Sequence, residues 1–486
     1  MELPVAYLEE MLLLLGRTEY EKYKSSMEAE SVSGLRLNPL KIPARRREAV
    51  LHKIFGGGTP EAVPWSLGDG YYGDFGPLGE GGTPGKHPYH GAGLYYLQEP
   101  SAMAPAALLP VWPGERVLDL CAAPGGKSTA LGARLSGTGL LVANDRSVSR
   151  ARALLRNLER FGIWNCLVTA EEPGRLAECF PGFFDKILVD APCSGEGMFR
   201  REPSMVSDWE KRGPAHYVPV QREILRLACR MLRPGGLLLY STCTFSETED
   251  EGAAAWLLGA EPELEQLALP AAHGFSQGTD GASLRLYPWR LKGEGHFAAL
   301  FRKKGGMSGR GAEGGKPEET DGGGREAENE ADERRRRRNG LFLKKQPDFA
   351  AFRERIRTPF RPESRGYYWE RDGALYLLPL PPEELPSLRY LRTGLFLGTM
   401  KRGRFAPSQA LAMCLKKEEF SDTADFPAED IRTVKYLKGE TVTAEGVSCE
   451  GGDGWCLVCV DGWPLGFARR SGETLKNKYD PGWRWT

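Results

Sequence analysis

The sequence has little that could hold a metal and nothing that could span a membrane. Its six histidines fall at no ligand spacing, and ten cysteines in 486 residues are too few for a disulfide scaffold. The cysteines lie mostly in apolar, strand-like runs, as in a reduced cytoplasmic protein. Cys456 and Cys459 have the spacing of half a zinc site, but no second pair accompanies them, and a structural zinc wants four ligands. No metal is therefore expected. No apolar run approaches the length of a bilayer span. The short run Met11–Leu15 follows two glutamates and has no basic leader, so it reads as a core helix ended by Gly16 rather than a secretory signal. Net charge is missing too: 65 basic and 65 acidic residues cancel, so only local basic patches could draw an anionic partner. Internal repeats are absent.

What is present centres on Val117–Thr129, Val-Leu-Asp-Leu-Cys-Ala-Ala-Pro-Gly-Gly-Lys-Ser-Thr. Apolar Val117–Leu120 suit a parallel strand covered on both faces. Pro124, Gly125 and Gly126 cannot continue it, and helical spacing resumes from Lys127 through Leu131 and Leu135. In an open α/β sheet such a first turn lies at the carboxyl edge, where ligands bind. A phosphate-binding P-loop would need glycine where Cys121 stands. The G-x-G-x-x-G dinucleotide fingerprint is not supplied by Ala122–Lys127. The remaining ligand class is a nucleoside with little or no phosphate, such as S-adenosylmethionine. Leu140–Asp145 reads as a second strand ending in an acid, and Asp145 can accept hydrogen bonds from ribose hydroxyls or simply cap the next helix.

At this length, with 41% hydrophobic residues, the chain holds more than one domain. Residues 1–100 form an N-terminal unit with a helix from Val5 to Leu15 and a basic Arg45-Arg46-Arg47 run, readable as phosphate contacts or as a solvated face. Residues 101–304 alternate strands and helices and predict a doubly wound α/β, Rossmann-like domain. Residues 305–340 are glycine, then acid, then Arg334–Arg338; almost without apolar residues, they are expected to be a disordered linker. Residues 341–392 read as a connecting α+β domain and 393–486 as a strand-rich domain. In the latter, bases recur with aromatics at Lys401–Phe405, Leu465–Arg470 and Leu475–Tyr479, a mixture suited to RNA.

Two cysteines stand apart. Phe184–Asp190 and Gly236–Tyr240 read as strands, followed by the turns Ala191-Pro-Cys193-Ser and Ser241-Thr-Cys243-Thr. With sheet order 3-2-1-4-5 these strands are neighbours, so Asp190, Cys193 and Cys243 converge beside the Gly125–Gly126 turn. Pyrimidine chemistry accounts for such a set. Carbon 5 of cytosine is too weak a nucleophile for a sulfonium methyl until a thiolate adds at carbon 6 while an acid neutralises charge at N3. A base must then remove the carbon 5 proton. The thiol must ionise near neutral pH.

Asp119-Leu-Cys-Ala-Ala-Pro-Gly-Gly-Lys127, Asp190-Ala-Pro-Cys-Ser-Gly195 and Ser241-Thr-Cys243 resemble the motifs of the Sun/Nop-type RNA cytosine-5 methyltransferases. The resemblance extends over essentially the whole chain except the linker, and includes Gln98–Ser101 before the catalytic domain. Pro464–Arg470 and Thr474–Lys478 look like the bacterial branch that methylates small-subunit ribosomal RNA, which ends in a PUA-like RNA-binding domain.

The resemblance implies a class I S-adenosyl-L-methionine-dependent domain, with Cys243 as the nucleophile and Cys193 assisting product release. That division of roles rests on the resemblance, since in DNA cytosine methyltransferases the Pro-Cys cysteine is the nucleophile. It further implies that Asp190 contacts N3 beside the donor, and that Cys121, Ala122, Ala123, Pro124, Gly125, Gly126 and Lys127 line the cofactor. Asp145 would take the ribose, Arg150 would contact the donor, and Glu172, in preference to Glu171, would meet the adenine. The expected partner is ribosomal RNA or the small subunit, bound by a monomer in the cytoplasm. Transfer RNA as substrate, or a non-catalytic ribosome-assembly role, are the rival readings.

Overall fold

The computed structural model describes residues 3–73, 84–305, 323–357, 364–446, 448–449 and 452–485. Its centre is a ten-stranded sheet. In chain order the catalytic unit runs β1 (Arg116–Asp119), α1 (Gly126–Arg134), β2 (Leu140–Asn144), α2 (Val148–Phe161), β3 (Cys166–Thr169), α3 (Pro173–Cys179), β4 (Phe184–Asp190), α4 (Ser204–Met231) and β5 (Leu232–Thr242). There follow α5 (Glu251–Ala260), β6 (Leu264–Leu267), β7 (Ser276–Gln277), β8 (Leu284–Leu286) and β9 (His296–Lys303).

The five parallel strands lie in the expected order β3-β2-β1-β4-β5. β9 continues the sheet antiparallel to β5, pairing Phe297 with Thr242, and β8 and β7 follow beyond it. β1, β2 and β3 are apolar because both faces are covered. Val117, Leu141 and Leu154 belong to the core on one face, Leu118, Val142 and Ile187 to the core on the other. α2 shows how local sequence sets an element. Ser147 caps its start by accepting from the Arg150 N–H, while Ala151, Leu154, Leu158 and Phe161 form the buried stripe. Gly162, at φ 76°, ends it. Truncating Leu154 to alanine would cost on the order of 2–5 kcal/mol.

The N-terminal helix continues past Leu15 to Glu28, with its helical geometry interrupted at Gly16 (φ 67°). Its buried Tyr7 and Tyr23 pack against Phe199, Trp209 and Phe245 of the catalytic unit. A three-stranded antiparallel sheet, Gly34–Leu37 between Gly70–Tyr72 and Tyr95–Leu97, completes that unit.

Three expectations are corrected. Within the stretch expected to be a disordered linker, Gly323–Lys345 form a helix; residues 306–322 lie outside the described residues. The helix is anchored at its end: Arg338 pairs with Glu383 at 2.9 Å, Asn339 bonds the backbone of Gly366 and Tyr368, and Phe342 stacks on Tyr368. Composition undervalued these few anchors. The boundary at 392/393 also fails, because it falls inside β10 (Tyr390–Thr393), which pairs antiparallel with β3 and completes the catalytic sheet. A four-stranded sheet spans Tyr367–Pro407, and a separate six-stranded sheet begins at Thr423.

Finally, the N-terminal unit and the C-terminal domain share one core, joining Leu35, Ile42, Tyr89 and Tyr95 to Phe426, Tyr436, Val458 and Leu465. Two of the three arginines proposed for RNA phosphates serve within the protein. Arg46 lies 4.0 Å over the Trp463 ring and bonds the Asp461 carbonyl, and Arg47 pairs with Asp69 at 2.6 Å. Arg45 is exposed.

Candidate active site

β1 ends in a loop that reverses onto α1 through Gly125, whose φ of 114° suits glycine alone. A side-chain carbon at Gly126 would come 3.0 Å from Gln98 Nε2, so the N-terminal unit presses directly on the helix start. Arg36, buried, donates to the Gly126 carbonyl at 2.9 Å and to Thr129 Oγ1 at 2.6 Å. Other partners fix the loop from below: Asn157 and Arg150 donate to the carbonyls of Pro124 and Ala123, and the Ala122 N–H bonds the Asn144 carbonyl. Asn144 in turn holds Leu120, Thr169 and Glu171, tying three strand ends together.

Lys127 points from α1 towards β4, and its Nζ lies 2.7 Å from Asp190 Oδ2. Asp190 Oδ1 accepts from Ser241 at 2.8 Å. Burial alone would lift Asp190, but the Lys127 ammonium and the Ser241 hydroxyl bring its carboxyl below the ordinary value. Burial likewise opposes the charge on Lys127, and the facing carboxylate carries it above its ordinary value.

The turns after β4 and β5 bring Cys193 Sγ and Cys243 Sγ to 3.4 Å, with the Cys243 N–H directed at Cys193 Sγ. They are stitched by Gly197 N–H to the Cys243 carbonyl at 2.9 Å and by Phe245 N–H to Glu196 at 3.1 Å. The Cys193 thiol is raised well above its ordinary value by its bond to Cys243, by burial, and by the charges of Cys243 and Glu249.

The sequence-derived residues divide as follows. Asp190, Cys193, Cys243 and the 121–127 loop meet at the carboxyl edge of β1, β4 and β5. Cys121 opens that loop, with its thiol raised by burial and by Asp119, Asp190 and Asp145. Asp145 is 4% exposed at the end of β2; Oδ1 accepts from the Ser147 N–H at 2.9 Å and Oδ2 lies 3.4 Å from Arg150. Ser147, not Asp145, caps α2. Arg150 spends its guanidinium on Ala123 and Asp145, bracing the loop. Glu172 is exposed just before α3, and its side chain does not cap the helix. The carboxylate of Glu171 accepts from the backbone N–H of Arg389.

Several residues escaped sequence reasoning. Glu99 accepts from the N–H groups of Ser101, Ala102 and Glu294 and from the Ser101 hydroxyl, which also meets His296 Nδ1 at 2.8 Å. His296, from β9, is lowered to about 4 by burial, with Lys127 adding to the shift while Glu99 and Asp190 oppose it. Glu196 is raised to about 7 by burial. A signal existed for Glu196, an acid within a cysteine turn, but none for His296, whose place depends on a strand that starts 169 residues after Lys127.

The cradle fits a nucleoside sulfonium. Asp119 Oδ2 accepts from Ser128 at 2.6 Å, whereas Oδ1 is buried with no hydrogen-bond partner, and burial raises the carboxyl to about 7. An unpaired buried oxygen beside small, glycine-rich backbone suits a cationic or hydrogen-bonding ligand. Cys456 and Cys459, by contrast, alternate into two different cores, so they share no ligand. Among the described residues no cluster of histidine, cysteine and acids could hold a metal, and no helix is long and apolar enough to cross a membrane.

Comparison with known proteins agrees with this geometry. Residues 106–302 match the family model for 16S rRNA methyltransferase RsmB/F, and residues 3–100 the N-terminal domain of 16S rRNA methyltransferase RsmF. Residues 351–415 match the first C-terminal domain of RsmF, and residues 423–485 its PUA domain. The chain is 30% identical to ribosomal RNA small subunit methyltransferase F of Klebsiella pneumoniae (strain 342), over 98% of this chain and 95% of that one. The same protein of Escherichia coli (strain K12) is 30% identical, over 80% and 78%. Among solved structures, a methyltransferase homolog from Pyrococcus horikoshii is 29% identical with a TM-score of 0.51, covering 62% of this chain and all 100% of that one. NSun6 from Pyrococcus horikoshii, at 23% identity and TM-score 0.53, covers 62% of this chain and 98% of that one and shares the fold. With its S-adenosyl-L-methionine-dependent catalytic domain, N-terminal unit and PUA domain, the chain belongs to the ribosomal RNA small subunit methyltransferase F family.

Proposed function

We propose that this enzyme methylates carbon 5 of cytosine in small-subunit ribosomal RNA, through a covalent bond between Cys243 and carbon 6. The observation that carries the reading is the pair of sulfurs 3.4 Å apart on the rim that also holds the Asp190–Lys127 pair. Residues 121–126, Asp119 and Asp145 would hold S-adenosyl-L-methionine, with Glu172 on the adenine side, and the bound donor would supply an electrophilic methyl group.

The chain's own residues do the rest. Cys243, as thiolate, adds to carbon 6 and pushes electron density towards carbon 5 and N3. Asp190, expected as the acid on N3, is held below its ordinary value beside Lys127, so it accepts from the exocyclic amine and the Lys127 ammonium is the hydrogen-bond donor that stabilises charge on N3. Once carbon 5 bears the methyl, a water molecule takes its proton and the carbon 6–sulfur bond opens. Cys193, kept as a thiol, passes its proton to the departing Cys243 sulfur. The target cytosine must lie outside a base stack, because sulfur and methyl approach its two faces. The PUA domain and the exposed bases Lys401, Arg402, Arg404 and Lys478 would hold flanking RNA through phosphate contacts.

Incubation of the purified chain with 16S ribosomal RNA, assembled small subunits or transfer RNA, each with methyl-labelled donor, tests this. The expected result is 5-methylcytosine in the ribosomal substrate. Label confined to transfer RNA would change the substrate, and no 5-methylcytosine in any RNA would reject the chemistry.

A further inference from the structure

Behind the two cysteine turns lies an acid that the reaction above leaves without a role. Glu249 is fully buried. Its Oε1 accepts from the Ser194 N–H at 3.0 Å and from Gln221 Nε2 at 2.8 Å, and its Oε2 accepts from the Ser194 hydroxyl. Gln221, on α4, also donates to the Pro192 carbonyl at 3.0 Å. The Ser194 and Thr244 hydroxyls are 2.7 Å apart. Ser194 directly follows Cys193, and Thr244 directly follows Cys243. One carboxylate thus grips both sides of the first turn and, through a pair of hydroxyls, the second.

We propose that Glu249 is a positioning residue for the two-sulfur chemistry: it clasps the Cys193 turn to the Cys243 turn and sets the separation and facing of the sulfurs. The inference rests on the two-cysteine reading given above. The strands cannot do this alone, because β4 ends at Asp190 and β5 at Thr242, leaving both cysteines beyond the ladder. Three donors converge on the one buried carboxyl, and a hydroxyl pair has little freedom once both ends are held. Glu196 braces the far side, accepting from Phe245 N–H and from Trp209 Nε1 at 2.8 Å. The charges are placed unequally as well. Glu249 faces Cys193 and favours its thiol, whereas the Lys127 ammonium faces Cys243.

The test uses full-length chain and the diazene oxidant diamide, which takes up two thiol hydrogens as a sulfur–sulfur bond forms. The rate of Cys193–Cys243 joining is read by peptide mass spectrometry, S-adenosylhomocysteine binding by calorimetry, and folding by circular dichroism. Thr244→Val and Ser194→Ala should each slow joining at least fivefold while homocysteine-product affinity stays within twofold of native. Glu249→Gln, which keeps the shape and one acceptor oxygen, should join faster than Glu249→Leu. In methylation assays the hydroxyl variants should lower kcat with KM for the donor unchanged. Native joining rates in both hydroxyl variants overturn the clasp, whether or not Glu249→Leu folds. Slowed joining in a chain that methylates no RNA would keep the clasp and reject the two-cysteine reaction.

Discussion

Lys127 Nζ and Asp190 Oδ2 meet at 2.7 Å, joining the first turn of α1 to the end of β4. The pair fuses what the sequence presents as two separate sites, since Lys127 belongs to the cofactor loop and Asp190 to the cysteine turn. Replacing Lys127 with methionine leaves the half-buried carboxylate with Ser241 as its remaining hydrogen-bond partner. The expected outcome is a stability loss of about 1–2 kcal/mol in urea unfolding, between the values for an exposed and a fully buried pair. Turnover should fall at least a hundredfold.

Asp190 also sets a lower pH limit. Its carboxyl is below the ordinary value in the fold, so its contribution is present above the unfolded value of about 3.9 and fades as pH falls through the folded value. Melting temperature should therefore drop below about pH 4, and Asp190→Asn should flatten that drop.

Asp119 works in the opposite direction. Burial raises it to about 7, so the fold favours its protonated form; that advantage is complete below the unfolded value and is lost as pH rises through 7. Asp119→Asn, which still accepts from Ser128, should melt higher than native at pH 8 and equal to native below pH 4. Melting curves across that range check it, and a gap that persists at pH 4 would assign the effect to packing instead.

The two cysteines should separate by the fate of the RNA. Cys193→Ala should trap an RNA adduct that survives a denaturing gel, and Cys243→Ala should bind donor without turnover or adduct. An adduct with Cys243→Ala instead would exchange their roles.

Gly125→Ala places a side chain at φ 114°, with its Cβ 3.2 Å from Leu154. Backbone strain of about 1–3 kcal/mol at this turn should weaken donor binding by roughly tenfold. Calorimetry with S-adenosylhomocysteine measures it.

Much of this molecule is written locally. The apolar run before Cys121, the Pro-Gly-Gly break and the alternation of strands with helices fix β1, its turn and a doubly wound class whose usual order, β3-β2-β1-β4-β5, the structure adopts, because periodicity and turn chemistry act over a few residues. Chain order then places Asp190, Cys193 and Cys243 on one edge without any coordinate. Tertiary structure decided the rest. Arg46 reads as an RNA contact until Trp463, over 400 residues away, is seen beneath it. Tyr390–Thr393 reads as part of a connecting domain until β3 offers it an open edge. Glu249 is an ordinary acid until two turns close around it. Each depends on which distant backbone or ring happens to be adjacent. A local pattern fixes how a segment folds and which face it buries, but the partner that satisfies a given charge is chosen only when the whole chain has packed.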